Sequence, residues 1–127
     1  MKQLKTILIV DDEPDVLEVV EMLLLSEKYR VLKAKNGIEA IDVVSKETPD
    51  LVILDIMMPE MDGVEVCRKM REMDNMREKP IVMFSAKLSA IDKKESFDAG
   101  ADGFITKPFN ARGFIAGIKT YLELSRI

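Results

Sequence analysis

Histidine is absent from the 127 residues. That excludes histidine-ligated zinc, a histidine general base and any phosphohistidine made by the chain itself. If phosphate arrives from a histidine, that histidine belongs to a partner. A single cysteine, Cys67, leaves no disulfide within the chain and suits a reducing compartment. Long apolar runs are missing too. Ile7 to Val10, preceded by Lys2 and Lys5, is cut off by Asp11-Asp12, too early for a signal peptide. Leu51 to Leu54 is far short of a membrane span. No basic stretch exceeds Lys93-Lys94 and the net charge is -4, which argues against nucleic acid as a direct partner. No linker, low-complexity tract or charge block divides the chain. A single soluble, cytoplasmic domain over residues 1–127 is expected, with 47% hydrophobic and 33% charged residues to fold it.

What is present is strand and helix in alternation, five times over. Thr6 to Val10 reads as a strand ending in acids, followed by a helix with Pro14 in its opening turn and Val16, Val20, Leu23 and Leu24 on one face. Tyr29 to Ala34 is a less apolar strand, suited to an edge. Asn36-Gly37 then turns into a helix carrying Ala40, Ile41 and Val44. Leu51 to Leu54 and Ile81 to Phe84 lack polar alternation, the habit of parallel strands buried on both faces. Val66, Cys67 and Met70 mark the third helix. Asp92 to Ala99 marks a fourth, stopped by Gly100, and Phe104-Ile105 a short fifth strand. Asn110 caps a last helix carrying Phe114, Ile115, Ile118, Tyr121 and Leu122. Five such units imply an α/β fold: a parallel sheet, helices on both faces, right-handed crossovers.

Ligands of such sheets bind beyond the carboxyl ends of the strands. The residues there are Asp11, Asp12, Asp55, Ser85 and Lys107. Carboxylates gathered at one rim repel one another and hold raised pKa values unless a cation neutralises them. Hard oxygen ligands suit Mg²⁺.

Four blocks in order, Ile7 to Val16 (ILIVDDEPDV), Leu51 to Gly63 (LVILDIMMPEMDG), Ile81 to Ala86 (IVMFSA) and Ala99 to Phe109 (AGADGFITKPF), carry a resemblance across essentially the whole chain. The sequence resembles the receiver domain of two-component response regulators, the chemotaxis-type single-domain fold. The resemblance implies a flavodoxin-like, doubly wound sheet of order 2-1-3-4-5. It implies that Asp55 is the phosphoacceptor, and that Mg²⁺, or Mn²⁺ in its place, is held by Asp11, Asp12, Asp55 and the Met57 carbonyl. Lys107 is expected to pair with Asp55 at rest and with a phosphoryl oxygen afterwards. Ser85, where the family more often has threonine, would bond the phosphoryl group. Phe104, without the hydroxyl of the commoner tyrosine, would then turn inward. Met57 and Lys87 would flank the path of the hydrolytic water, and Lys107-Pro108 would be a cis peptide. The implied partners are a sensor histidine kinase or a histidine phosphotransfer protein, plus an output protein the sequence does not name. The expected output face is the fourth helix, fifth strand and fifth helix. The chain is expected to be no turnover enzyme, without nucleic-acid or membrane partners, and monomeric at rest.

Plainer readings stand beside these. Asp11-Asp12 suits a helix cap, and Asp55 an ordinary strand-end acid. Ser85 suits a strand terminator, and Lys107 a surface lysine. Cys67 and most of the nine methionines suit core packing, with Met57, Met58 and Met61 near the site. Gly113 and Gly117 suit close helix packing, and Lys93, Lys94 and Phe97 a mixed surface. A haloacid-dehalogenase-type phosphatase also uses a strand-end aspartate. It wants a second acid two residues later, where Met57 stands here. A phosphate-inert pseudo-receiver is the third alternative.

Overall fold

A computed structural model of the chain describes residues 4–86, 89–107 and 109–123. Lys87 and Pro108 lie outside them, so the expected cis peptide and the flanking role of Lys87 do too. The elements in order are β1 (Thr6–Val10), α1 (Pro14–Ser26), β2 (Arg30–Ala34), α2 (Gly37–Lys46), β3 (Leu51–Asp55), α3 (Gly63–Arg71), β4 (Ile81–Ser85), α4 (Ala90–Asp98), β5 (Gly103–Thr106) and α5 (Ala111–Leu122). A 3₁₀ turn, Asp74–Met76, sits between α3 and β4. The five strands are parallel in the order β2-β1-β3-β4-β5.

Continuous burial follows from position. β1, β3 and β4 occupy the middle of the sheet, and all five residues of each are buried. Their side chains alternate between two cores. Ile7, Ile9, Ile53 and Phe84 meet α1 and α5 on one face, while Leu8, Val10, Leu54 and Met83 meet α2 and α3 on the other. β2 is an edge strand and keeps Arg30 and Lys33 exposed. Asp55 and Ser85 are the last residues of β3 and β4, so each strand runs one position past the apolar run expected from the sequence.

The helix starts are mostly capped by side chains. Asn36, Asp62 and Asn110 accept from the amides of Glu39, Glu65 and Gly113. α1 differs: its N-cap is Glu13, with no side-chain cap bond, so the capping reading of Asp11-Asp12 is not what the fold uses. α4 begins at Ala90, two residues earlier than expected, because Ser89 and Asp92 form a capping box. Asp92 is its third residue and not its first. Gly100 ends α4 with φ of 108°, a conformation only glycine adopts cheaply. The close packing expected of Gly113 and Gly117 is absent. The nearest atoms to a Cβ on Gly113 would be those of its own cap, Asn110, and one on Gly117 would touch Ile105 at an ordinary 3.8 Å.

Gly63 has a sharper role. Its amide donates to the Ile56 carbonyl at 2.9 Å. A Cβ there would lie 2.2 Å from the Asp55 carbonyl oxygen and 2.8 Å from the Ile56 Cα. The obstruction is backbone, which cannot swing aside as a side chain can. We expect Gly63→Ala to cost at least about 2 kcal/mol in thermal or urea unfolding. Unchanged stability would show that the turn after β3 is free to shift.

Candidate functional site

Register brings the polar strand ends together. Val10 pairs with Leu54, so Asp11 follows alongside Asp55. Ser85 pairs with Thr106, and the Lys107 amide donates to the Ser85 carbonyl at 2.9 Å, so Lys107 leaves the sheet next to both. One carboxylate oxygen each from Asp11, Asp12 and Asp55 lies within 4.8 Å of the others. The spatial convergence inferred from strand ends is what the fold contains.

The three acids sit at different depths. Asp11 is fully buried and Asp55 is 3% exposed, whereas Asp12 faces solvent. Asp11 accepts from the Glu13 amide at 2.9 Å and Asp55 from the Met57 amide at 3.2 Å. Among the described residues, Lys107 is the nearby cation. Its Nζ lies 2.7 Å from Asp11 Oδ2, 3.7 Å from Glu13 Oε1 and 3.8 Å from Asp55 Oδ2. The pair with Asp55 that the resemblance implied is therefore present, but the shorter bond at rest is to Asp11, which the resemblance did not imply. Asp11 is the acid with no access to water, so its charge has the greater need of compensation. The Lys107 ammonium also lies 4.8 Å from the centre of the Phe84 ring, which Phe109 and Phe114 pack against.

Burial, together with this crowding, sets the acidity of Asp55. Its pKa is raised from 3.8 to about 7 by burial first and by the charge of Asp11 next. Lys107 and the Met57 amide oppose the rise without cancelling it. For Lys107, burial disfavours the ammonium. Its hydrogen bond to Asp11 and the fields of Asp55, Asp11 and Glu13 outweigh that and hold its pKa above the ordinary value.

Between these groups lies a cavity of about 220 Å³, lined by Glu13, Asp55, Met57, Ser85, Ala86 and Lys107. The deep carboxylate forms its floor, and the exposed Met57 and Glu13 form its rim. Oxygen donors with one lysine beside them fit a hard divalent cation and an anionic group at the same place. Ser85 is buried at that wall. Phe104 is half-buried on β5, and its ring meets Phe97 of α4 edge-on, 5.0 Å between centroids. Met58 and Met61 pack into the core on the α2 and α3 side, leaving Met57 alone of the three largely exposed. Cys67 is buried core, its Sγ donating to the Ala99 carbonyl.

The sequence profile of the response regulator receiver domain matches residues 7–119. The chain belongs to the response regulator receiver family. Among solved structures, this receiver is similar to the chemotaxis protein CheY4 of Vibrio cholerae. The two share 29% identity, with 94% of this chain and 99% of that one covered at a TM-score of 0.91. A putative response regulator from Chloroflexus aurantiacus is 33% identical, with 96% and 100% covered at a TM-score of 0.90. The receiver domain of a sensor histidine kinase from Pseudomonas aeruginosa is 27% identical, with 96% and 100% covered at a TM-score of 0.88. That structure has a magnesium ion coordinated in its active-site cleft. Among the described residues of this receiver, no helix is long and apolar enough to cross a membrane.

Two contributors escaped the reading of the sequence. Glu13 was given no role of its own, yet its carboxylate lies 3.7 Å from Lys107; its place directly after Asp12 was the available signal. Gly63 looked like a loop glycine, yet it packs on the backbone of the proposed phosphoacceptor.

The raised pKa has a testable sign. In the unfolded chain Asp55 loses its proton near pH 4; in the folded receiver it does so near pH 7. The folded state therefore binds the extra proton between those values, and stability from this group falls as pH rises through the window. Without divalent cations, Asp55→Asn should be more stable than wild type at pH 7.5 by roughly 1–3 kcal/mol, and by much less at pH 4. Urea unfolding at both pH values measures this. A variant less stable at pH 7.5 would contradict it.

Proposed function

We propose that this receiver is a phosphorylation-controlled switch, in which Asp55 accepts a phosphoryl group from the phosphohistidine of a partner kinase or phosphotransfer protein. The observation that carries the reading is the convergence of Asp11, Asp12, Asp55 and Lys107 at the mouth of one small cavity.

A carboxylate oxygen of Asp55 attacks phosphorus in line as the donor's phosphorus–nitrogen bond breaks, and the electron pair leaves with the imidazole nitrogen. Lys107 places a fixed positive charge against a phosphoryl oxygen, and the Ser85 hydroxyl donates to another. Asp12, Asp55, the Met57 carbonyl and Asp11, directly or through water, would hold Mg²⁺, with Mn²⁺ as a substitute. When bound, the ion offsets the charge of the carboxylates and of the transferring phosphoryl oxygens. Burial of Asp55 excludes most water, and the exposed Met57 partly screens the approach. The receiver thus assists its own phosphorylation and hydrolysis and turns over no external substrate.

The output follows from connection. Ser85 ends β4 against β5, and Phe104 of β5 already touches Phe97 of α4. Drawing Ser85 toward the phosphoryl group shifts the packing that Phe104 shares with α4, altering the face of α4, β5 and α5. Moving a population from about 1:9 to 9:1 needs a differential of only about 2.5 kcal/mol. Neither a turnover phosphatase nor a phosphate-inert fold is favoured by this arrangement: Met57 occupies the place of the phosphatase acid, and the acceptor set is complete.

Incubation with acetyl phosphate and Mg²⁺, followed by intact mass, tests the assignment. The expected result is one phosphoryl adduct on wild type and none on Asp55→Asn. Equal adducts on both would place the acceptor elsewhere.

A further inference from the structure

Glu13 has no part in the scheme above, yet it lines the cavity with Asp55, Ser85 and Lys107. Its side chain is 64% exposed and makes no cap bond, and its Oε1 stands 3.7 Å from Lys107 Nζ. The backbone that carries it is held on both sides. Its amide donates to Asp11, and Pro14 fixes the first residue of α1. The backbone of Glu13 is therefore fixed at the rim, with its carboxylate within reach of Lys107, while Asp55 lies at the floor.

In an in-line displacement the leaving group departs on the side opposite the attacking oxygen. With Asp55 at the floor, that side is the rim. A negative charge there acts on whatever charge the leaving group carries. We propose that Glu13 is a specificity-determining residue, biasing Asp55 toward phosphodonors whose leaving atom is a protonated nitrogen and against those that leave as carboxylates. The proposal rests on the phosphoacceptor reading and adds the basis of donor choice.

The two donor classes balance differently. In phosphoramidate the nitrogen already carries three protons. As Asp55 forms its bond to phosphorus, the phosphorus–nitrogen bond breaks, the pair stays on nitrogen and neutral ammonia departs. A phosphoimidazole protonated on its other nitrogen leaves likewise as neutral imidazole. Both donors bring positive charge to the rim before the bond breaks, which Glu13 favours. In acetyl phosphate the phosphorus–oxygen bond breaks and acetate leaves with the pair, so negative charge grows where Glu13 already holds one.

The test uses the whole chain with Mg²⁺ and follows intact mass over time with phosphoramidate or acetyl phosphate as donor. The variants are Glu13→Gln, Glu13→Lys and, as a control for net charge, Glu18→Gln on the exposed side of α1. Mg²⁺ affinity is measured on each. The ratio of the phosphoramidate to the acetyl phosphate rate constant should fall about three- to tenfold in Glu13→Gln, as expected for partly screened charges a few ångströms apart. It should fall further in Glu13→Lys and stay unchanged in Glu18→Gln. An unchanged ratio in Glu13→Gln, or an equal change in both rate constants, overturns the proposal alone. So does a change that Mg²⁺ affinity accounts for in full. A wild type inert to both donors overturns the phosphoacceptor reading beneath it.

Discussion

Asp11 and Asp55 stand at the ends of neighbouring strands that are buried on both faces, and the register of β1 on β3 sets them side by side. Neither carboxylate can withdraw into bulk water, and among the described residues Lys107 serves both. Lys107 resolves the conflict unevenly, bonding Asp11 at 2.7 Å and leaving Asp55 at 3.8 Å. Asp55 is left as the under-compensated acid, with its pKa raised to about 7. The apolar interior that makes the sheet stable thus creates the shortage of positive charge at its rim. A divalent cation answers that shortage, and so does movement of Lys107. Under the proposed phosphotransfer, a newly arrived phosphoryl group would offer Lys107 a second anionic partner, which would couple chemistry to conformation.

The far end of that coupling is weakly anchored. α4 fully buries Ser96, whose hydroxyl has no hydrogen-bond partner among the described residues, while Ile91 and Phe97 are 69% and 52% exposed. A helix that hides so little apolar surface and keeps one polar atom unsatisfied has little free energy holding it in place. Its edge-on contact between Phe97 and Phe104 is the aromatic link to β5, the strand beside Ser85. Small changes at the site can therefore reach α4 without disturbing the rigid centre of the sheet.

Most of this was legible in the sequence because period and polarity carry it. Unbroken apolar runs ending in Asp11, Asp55 and Ser85 announced central parallel strands and their functional ends, and Asn110 and Gly100 announced helix limits. The misreadings came where a residue's partner lies far away in the chain. The Lys107 preference for Asp11 depends on relative burial, which no local pattern reports. The early start of α4 was written in Ser89 and Asp92, three residues apart, but the weakly amphipathic helix after them gave no periodicity to prompt the search. Gly113 and Gly117 imitate a packing motif that the fold does not use, since α5 turns them toward its own cap and the Ile105 methyl group. Glu13 drew no reading of its own, because its reach to Lys107 depends on a residue that lies more than ninety positions later.

The central claim is that burial, and after it the charge of Asp11, holds Asp55 partly protonated, and that a bound divalent cation would relieve it. Proton release on adding Mg²⁺ at pH 7 in weakly buffered solution measures that directly. With a pKa of about 7, wild type should release about half a proton per ion bound, and Asp55→Asn should release almost none. Saturable Mg²⁺ binding by wild type with no proton release, or equal release from both proteins, would contradict the account.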